Sequence, residues 1–269
     1  MRLRQSYVRV GKLALIKHQR YAHAKQFKRA GKALRSLRTQ LGRVIRDIRR
    51  RLQAQPGLEG DFATQLALAE RVLGQRQRQR GPKVYSLHAP EVECIGKGKA
   101  HKPYEFGVKV SVATPIGRCK GGQFVAHVKA LPGAPYDGHT LGVVLPEIER
   151  EIGANLERIV ADKGYRGHNA TDKHRLKVFL SGQRRGITPQ IKRELKRRAA
   201  VEPVIGHLKA EHRMGRNFLA HRTGDANNAV LAAAGYNFRR LLLWLALLLS
   251  AIRLAFSGSK TQPSVPATA

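Results

Sequence analysis

The sequence predicts an α+β fold, in which a basic α-helical hairpin precedes a mixed sheet with flanking helices. Over residues 34–52, leucine, isoleucine and valine recur every three or four positions, and arginines fill the spaces between them. This spacing predicts a long amphipathic helix, because positions three and four apart share one face of a helix. Residues 102–113 and 122–131 instead alternate apolar with polar side chains and are rich in β-branched residues. They predict two adjacent antiparallel strands.

The order of these patterns predicts three regions. Gln55-Pro56-Gly57 ends the first long helix, and residues 62–73 resume the helical spacing as the second arm of a hairpin. The basic hairpin is therefore assigned to residues 1–80, and the mixed sheet with its helices to residues 81–256. Residues 257–269 are rich in proline, serine and threonine, and we expect this tail to be disordered.

The second region is predicted to alternate between helix and strand. Residues 140–153 have helical spacing, and residues 157–161 have the composition of a short buried strand. Residues 188–214 predict one long helix, with Pro189 in its first turn and a kink at Pro203. The sheet is therefore expected to carry helices on its faces.

A polyanion is the partner that the composition predicts. The chain has 51 Lys and Arg against 18 Asp and Glu, which gives a formal net charge of +33. In residues 1–80 alone there are 21 basic residues and four acidic ones. Such a charge is far larger than a metabolic enzyme needs for solubility. Composition by itself leaves DNA, RNA and a membrane surface open as the partner.

A membrane partner is disfavoured by the terminal helix that residues 226–256 predict. Its apolar run, from Leu241 to Ile252, is shorter than the roughly 17–25 residues that a membrane span requires, so we interpret it as a buried helix. The only cysteines, Cys94 and Cys119, are too few for a disulfide framework. No signal peptide opens the sequence, so we expect a cytoplasmic protein.

Asp162 is the first candidate for a catalytic residue. It directly follows the apolar segment 159–161, and Gly164 and Gly167 turn the chain away after it. A carboxylate at the C-terminal end of a buried strand is presented in the crevice where open sheets bind ligands. The alternative is an ordinary aspartate of a turn or a helix cap.

A second candidate site lies in the helix predicted over residues 188–214. Arg198 and Glu202 are four positions apart, and Lys209 follows Glu202 by seven, so the three side chains are expected to share one helix face. Such a face presents an acid to a metal ion and bases to a phosphate. The alternative is a solvated ion pair of a surface helix.

With these two segments the chain resembles the bacterial insertion-sequence DDE transposases, which have a ribonuclease H-like catalytic core. Their third-carboxylate signature is Tyr-x2-Arg-x3-Glu-x6-Lys. Arg198, Glu202 and Lys209 match its last three positions, whereas Leu195 stands at the tyrosine position. Their second-carboxylate signature, an aspartate followed closely by Gly-Tyr, is met by Asp162-Lys163-Gly164-Tyr165.

The resemblance extends from about Lys83 to Trp244 and implies DNA transposition, with double-stranded DNA as the partner. It implies that Asp162 and Glu202 are catalytic ligands of Mg²⁺ or Mn²⁺. In such sites two ions about 3.5–4 Å apart promote in-line attack on phosphorus. A complete member of the family is expected to be a homo-oligomer acting at the bacterial nucleoid. The residues predicted to contact DNA are Arg198, Lys209, Arg213, Lys163, Arg166, Lys97 and Lys99.

The chain departs from the family at the first catalytic aspartate, which the family carries on the first strand of the sheet. No aspartate follows an apolar strand before Asp137. We therefore expect an incomplete first strand and an N-terminally truncated transposase with little activity. The alternative is a non-catalytic basic nucleic-acid-binding protein. Asp137 itself lies on a turn before a helix, where it is either a turn or capping residue or a support for the other acids.

Overall fold

The protein is α+β, with small sheets and abundant helix. The computed structural model describes residues 3–76, 79, 81, 83–97, 103–119 and 121–257. About 59% of the chain is helical, and the strands within the described ranges form three sheets of two strands each. Residue contacts divide the chain into two units, residues 1–90 and 91–269. The tail predicted to be disordered falls, except for Ser257, outside the described residues.

The N-terminal unit is built from three helices. They are α1 (Val8–His23), α2 (Phe27–Gln53) and α3 (Glu59–Gly74). Helix α2 contains the predicted amphipathic helix, and α3 contains the predicted second arm. Helix α1 was not predicted, because the apolar side chains of this helix do not form a buried stripe. Four of them are at least 46% exposed: Val8, Val10, Leu13 and Leu15.

The amphipathic pattern of α2 separates a packed face from a charged one. Ile45 and Leu52 are buried on the packed face. The guanidinium of Arg38 donates to the carbonyl of Leu73 at 2.7 Å, which satisfies an acceptor at the end of α3. Five further arginines of this helix are exposed and make its surface positive; they are Arg35, Arg43, Arg46, Arg49 and Arg50.

The C-terminal unit contains the three sheets. Strand β1 (Glu93–Gly96) pairs with β2 (Tyr104–Gly107), β3 (Lys109–Ala113) with β4 (His127–Leu131), and β5 (Ile159–Ala161) with β6 (Val178–Leu180). The first two pairs are antiparallel and the third is parallel. The helices of this unit are α4 (Leu141–Ile152), α5 (Asp172–Arg175), α6 (Pro189–Arg197), α7 (Val201–Ala210) and α8 (His221–Ser257).

The prediction of two adjacent strands is confirmed only for their C-terminal halves. Residues 109–113 pair antiparallel with residues 127–131, in a register that places Lys109 opposite Leu131. The prediction of a single strand over residues 102–113 is wrong, because the strand is interrupted after Gly107. The φ of +135° at this position favours glycine. The residues before this break instead pair with β1.

Helices cover both faces of the β3–β4 sheet. Val112 and Val128 pack against buried residues of α7 and α8. Ala113 and Leu131 pack against the buried side of α4. Because successive residues of a strand point to opposite faces, α4 lies on one face of this sheet, and α7 with α8 lies on the other.

Helix α4 also packs on the β5–β6 sheet, and α6 lies near the start of β5. Ile159 and Leu180 belong to the cluster around α4. The preceding residue, Arg158, extends away from this cluster, and its Nε donates to Oε2 of Glu194 on α6 at 3.0 Å. The two sheets therefore share α4 on one side, and α7 with α8 covers the other face of the β3–β4 sheet, which gives three layers there.

The long helix predicted over residues 188–214 is interrupted, which corrects that prediction. Helix α6 ends at Arg197, a 3-10 turn spans Arg198–Ala200, and α7 begins at Val201. A proline ring clashes with the carbonyl four residues before it, and for Pro203 that carbonyl belongs to the 3-10 turn. The proline thus starts a new helix instead of kinking a continuous one.

Helix α8 contains the predicted terminal helix, but the prediction that its apolar run is buried is wrong. Leu242 and Leu247 are 65% and 70% exposed. The reason is that only the N-terminal half of α8, with Ala232 and Tyr236, packs into the core of the unit. No helix in the described part of the chain is long and apolar enough to cross a membrane.

Truncation of Leu208 is expected to destabilise the protein. This side chain of α7 is 0% exposed and lies at the centre of the cluster with α8. Leu208→Ala should lower the free energy of unfolding by about 2–5 kcal/mol, because it removes buried surface and leaves a cavity. Denaturant titration measures this change. Val143→Ala on α4, where the side chain is 52% exposed, is the control and should change stability little.

The Glu149 carboxylate is expected to make stability depend on acid pH. Hydrogen bonds from Lys173, from the backbone of Leu156 and from His174, in that order, lower the pKa of Glu149 from 4.5 to about 2. Because the pKa is lower in the folded state, the stabilisation is complete above about pH 4.5 and is lost as the pH falls toward 2.

Replacement of Glu149 tests this linkage. Glu149→Gln should melt below the wild-type protein at pH 7, and the two melting temperatures should converge as the pH falls from 4.5 toward 2. The control is Glu157→Gln, because the Glu157 side chain is 85% exposed. A difference between wild type and Glu149→Gln that stays constant over this range would contradict the assignment.

Candidate functional site

Asp162 is held at the C-terminal end of the parallel strand β5. Its Oδ1 accepts a hydrogen bond from the backbone N–H of Lys163 at 2.8 Å. A short 3-10 turn, Lys163–Tyr165, begins at this point and leads the chain away from the sheet. The carboxylate is 58% exposed. It therefore lies at the sheet edge, accessible to a ligand.

Arg198 brings Asp162 and Glu202 together. Its Nη2 donates to Oε1 of Glu202 at 2.7 Å, and its Nη1 lies 3.6 Å from Oδ2 of Asp162. The separation of the two acids is thus limited by two short contacts and the width of one guanidinium. Two carboxylates that are distant in sequence form one cluster, at the junction of β5 and α7.

The local structure around the 3-10 turn positions this cluster. Arg198 opens the turn and Glu202 lies in the first turn of α7. Although the helix is interrupted between them, the side chains of these two residues, four positions apart, remain in contact. The Arg198 side chain is only 21% exposed, whereas that of Glu202 is 63% exposed. A largely shielded guanidinium therefore holds two accessible acids.

Asp137 lies next to this cluster, on the other side of the turn that follows β5. Its Oδ1 accepts from the ammonium of Lys109 at 2.9 Å. A Cβ placed on Gly164 would lie 3.0 Å from Oδ2 of Asp137, so the aspartate is in contact with the turn after Asp162. The carboxylate of Asp137 therefore forms an ion pair and contacts this turn.

The negative charges of Asp137 and Asp162 act on the phenol of Tyr165. Burial raises the pKa of the Tyr165 phenol, and the negative charges of Asp137 and then Asp162 raise it further, whereas a hydrogen bond with Thr140 opposes them. The phenol is therefore neutral at physiological pH. The Gly-Tyr pair was singled out only as part of a signature, so this effect of the two acids on Tyr165 was not predicted.

Glu105 is a residue of this region that the sequence patterns do not single out. Its Oε2 lies 2.7 Å from Nζ of Lys97 and 3.9 Å from Nζ of Lys209. The structure thus brings together two of the lysines that were predicted to contact DNA. Glu202 and Lys209 both lie in α7, seven positions apart, so they share a helix face as expected, and the ammonium of Lys209 also lies near β2. The alternation of β2 is the signal that could have placed Glu105.

The remaining predicted DNA contacts are dispersed over the surface of this unit. Lys163 and Arg166 are exposed on either side of the turn after β5. Arg213 is also exposed, and its guanidinium lies 6.0 Å from the ring centre of Phe218. Lys99 lies outside the described residues. Lys163 and Arg166 are therefore the predicted bases that flank the acid cluster most directly.

The donor set at the cluster fits one hard cation. Asp162 and Glu202 offer carboxylate oxygens, the ligands that Mg²⁺ prefers, and one or two carboxylates with water and phosphate are usual for this ion. Among the residues that the structure describes, no group of three or more His, Cys, Asp or Glu could hold a metal ion. Arg198 currently neutralises the two acids, so a cation would have to displace or share its contacts.

No family model, curated protein or solved structure matched the chain in the comparisons with known proteins.

The ion pairs of Arg198 are expected to contribute little to the free energy of unfolding, because both acids are more than half exposed. A double-mutant cycle with Arg198→Ala and Glu202→Ala should give a coupling of about 0.2–1 kcal/mol in unfolding free energy. Added salt should reduce it. The pair of Arg198→Ala and Glu157→Ala is the control, for which the cycle should give no coupling.

Proposed function

We propose that the chain is the core of a bacterial insertion-sequence transposase of the DDE class, acting on double-stranded DNA. The observation that carries the proposal is the contact of Asp162 and Glu202 with one guanidinium. These are the two acids that the family signatures select from opposite ends of a stretch of forty residues. A pair of unrelated surface acids has no reason to converge in this way.

The layered packing of the C-terminal unit supports a ribonuclease H-like fold for this core. In that fold a mixed sheet lies between helices, and the catalytic acids lie at the carboxyl ends of strands and on a flanking helix. Asp162 directly follows β5, and Glu202 lies at the start of α7. The parallel pairing of β5 and the antiparallel pairing of β3 fit a mixed arrangement.

In the proposed reaction Asp162 and Glu202 would hold Mg²⁺ or Mn²⁺. The bound cation would supply Lewis-acid activation of water or a 3′-hydroxyl for in-line attack on a phosphodiester. Arg198 would then be free to contact a phosphate oxygen, for which its planar guanidinium is suited. Lys163 and Arg166, exposed on either side of the same turn, would bind the phosphates of the neighbouring nucleotides.

The basic surfaces support DNA as the substrate. The net charge of +33, together with the exposed arginine face of α2, provides many phosphate contacts without base recognition. Such binding releases counterions, so the logarithm of affinity falls linearly with the logarithm of salt concentration. Lys97 and Lys209 would add contacts from the C-terminal unit.

Manganese binding tests the proposed role of the two acids without requiring activity. Electron paramagnetic resonance of Mn²⁺ titrated into the full chain should show one site. Asp162→Asn and Glu202→Gln should each weaken it by about 10-fold or more, because each removes a charged ligand. Glu157→Gln, an exposed acid away from the cluster, should bind like wild type. Equal Mn²⁺ binding by all four proteins would refute the metal site.

DNA cleavage is expected to be weak. Two carboxylates hold one ion, whereas the reaction uses two ions that stabilise the attacking and the leaving oxygen. Incubation of the chain with supercoiled DNA and Mg²⁺ should give little nicking, measured on gels. Efficient nicking that Asp162→Ala abolishes would contradict this expectation while supporting the catalytic assignment.

A non-catalytic nucleic-acid-binding protein is the second candidate, and the ion pairs of Arg198 favour it. A guanidinium that already satisfies two acids needs no cation there. This candidate predicts salt-dependent DNA binding without a Mn²⁺ site. The transposase proposal predicts salt-dependent DNA binding and a Mn²⁺ site. The same Mn²⁺ titration therefore separates the two functions.

A further inference from the structure

The loop between α7 and α8, residues 211–220, carries an aromatic side chain that its surroundings barely cover. Phe218 is 77% exposed, and Leu219 beside it is 46% exposed. Single exposed apolar side chains are common on protein surfaces. The exposure of Phe218 therefore has meaning only together with the structure and the charges of the loop that carries it.

Hydrogen bonds and packing hold this loop in place. The backbone N–H of Met214 donates to the carbonyl of Leu208 at 3.0 Å, and the Met214 side chain packs against the core cluster of α7 and α8. The side chain of Asn217 accepts from the N–H of Leu219 at 2.9 Å and donates to Asp225 of α8 at 2.7 Å. These contacts anchor the loop on both sides of the exposed ring.

The start of α8 fixes the far end of the loop. A Cβ placed on Gly224 would lie 2.7 Å from the carbonyl carbon of Leu219, so the loop backbone lies directly against the first turn of α8. The N–H of His221 donates to Oε1 of Glu91 at 2.8 Å. Because the loop is ordered before a ligand arrives, binding costs little additional conformational entropy.

The charges of the loop favour a polyanion. Residues 212–222 contain three arginines and no aspartate or glutamate; the arginines are Arg213, Arg216 and Arg222. All three are exposed, and the guanidinium of Arg213 lies 6.0 Å from the ring centre of Phe218. An aromatic ring beside guanidinium groups matches a nucleotide, because a base stacks on the ring while arginines contact phosphates.

We propose that this loop binds an unpaired base of a DNA strand, with Phe218 stacked on the base and the arginines on neighbouring phosphates. Bases inside a duplex stack on each other, so a protruding ring reaches a base only where the strand is single or the base has left the stack. The inference rests on DNA as the partner under the proposed function, but it needs no metal ion.

The position of the loop allows one DNA strand to contact both the loop and the acids. Glu202 lies in the first turn of α7, and the loop follows the last residue of this helix. Helix α7 has ten residues, and at 1.5 Å per residue the loop begins about 15 Å from Glu202 along the helix axis. The unpaired base would therefore lie a few nucleotides from the acid cluster.

Two labelled strands isolate the contribution of the base. One is fluorescein-labelled oligo(dT) of about 12 nucleotides, within the usual site size of single-strand binding proteins. The other has the same length and the same phosphates, but abasic sites replace its thymidines. Fluorescence anisotropy with the full chain should show about 10-fold tighter binding of oligo(dT), because only this strand can stack on Phe218.

Matched variants locate the binding site. Phe218→Leu keeps an apolar side chain but removes the aromatic face, so it should bind oligo(dT) about 10-fold more weakly and the abasic strand like wild type. Phe27→Leu is the control, because Phe27 of α2 is 70% exposed and lies outside the loop; it should bind both strands like wild type. Duplex DNA should bind all three proteins alike. Circular dichroism verifies that the variants fold.

Phe218→Trp reports stacking directly. The chain has one tryptophan, Trp244, whose emission in the wild-type protein is the background. Phe218→Trp should bind oligo(dT) at least as tightly as wild type, because it retains an aromatic face. Oligo(dT) should quench its added emission, and the abasic strand should not.

Four outcomes would overturn the proposal. They are equal binding of both strands by wild type, an unchanged preference for oligo(dT) in folded Phe218→Leu, the same loss in Phe27→Leu, and unquenched emission of Phe218→Trp. Duplex binding tests the proposed function separately. Absence of duplex binding would contradict DNA as the partner, whereas duplex binding without a preference for oligo(dT) over the abasic strand would overturn only the role of the loop.

Discussion

The guanidinium of Arg198 is the constraint on which the arrangement of the site depends. It contacts Asp162 at the end of β5 and Glu202 at the start of α7, and so ties the edge of a sheet to a helix on its face. Without a positive charge between them, two carboxylates this close repel each other. The pair of acids is therefore stable in the absence of a cation, and the same guanidinium is available to a phosphate when a cation takes its place.

The three layers of the C-terminal unit place this constraint where a polyanion can reach it. Helix α4 covers one face of both sheets, and α7 with α8 covers the other face of the β3–β4 sheet. The carboxyl end of β5 is open, because the Asp162 side chain is 58% exposed. The exposed bases beside it, Lys163 and Arg166, attract phosphate, whereas the apolar cavity between β3 and β5 lies inside the layer. One region thus combines a charged edge with an apolar interior.

Much of the secondary structure could be predicted from the sequence, because periodicity is a local property. The spacing of leucines in α2 reflects which side of the helix is buried. The alternation of apolar and polar side chains in β3 and in β4 does the same for the sheet. The prediction of a single helix through Arg198 was wrong. A proline disrupts a helix one turn before its own position, so the helix is interrupted before Pro203 and not at it. The prediction that the apolar run of α8 is buried was wrong as well, since hydropathy does not reveal which half of a helix packs against the rest of the chain.

The basic character of this protein and the residue types of its candidate site follow from the amino-acid order, because charge and motif spacing can be read without a fold. Only the packed structure shows that Asp162 and Glu202 share Arg198, that Glu105 pairs with Lys97 and Lys209, and that a cavity separates β3 from β5. These are contacts between residues far apart in the chain, and they depend on how helices and sheets pack in three dimensions.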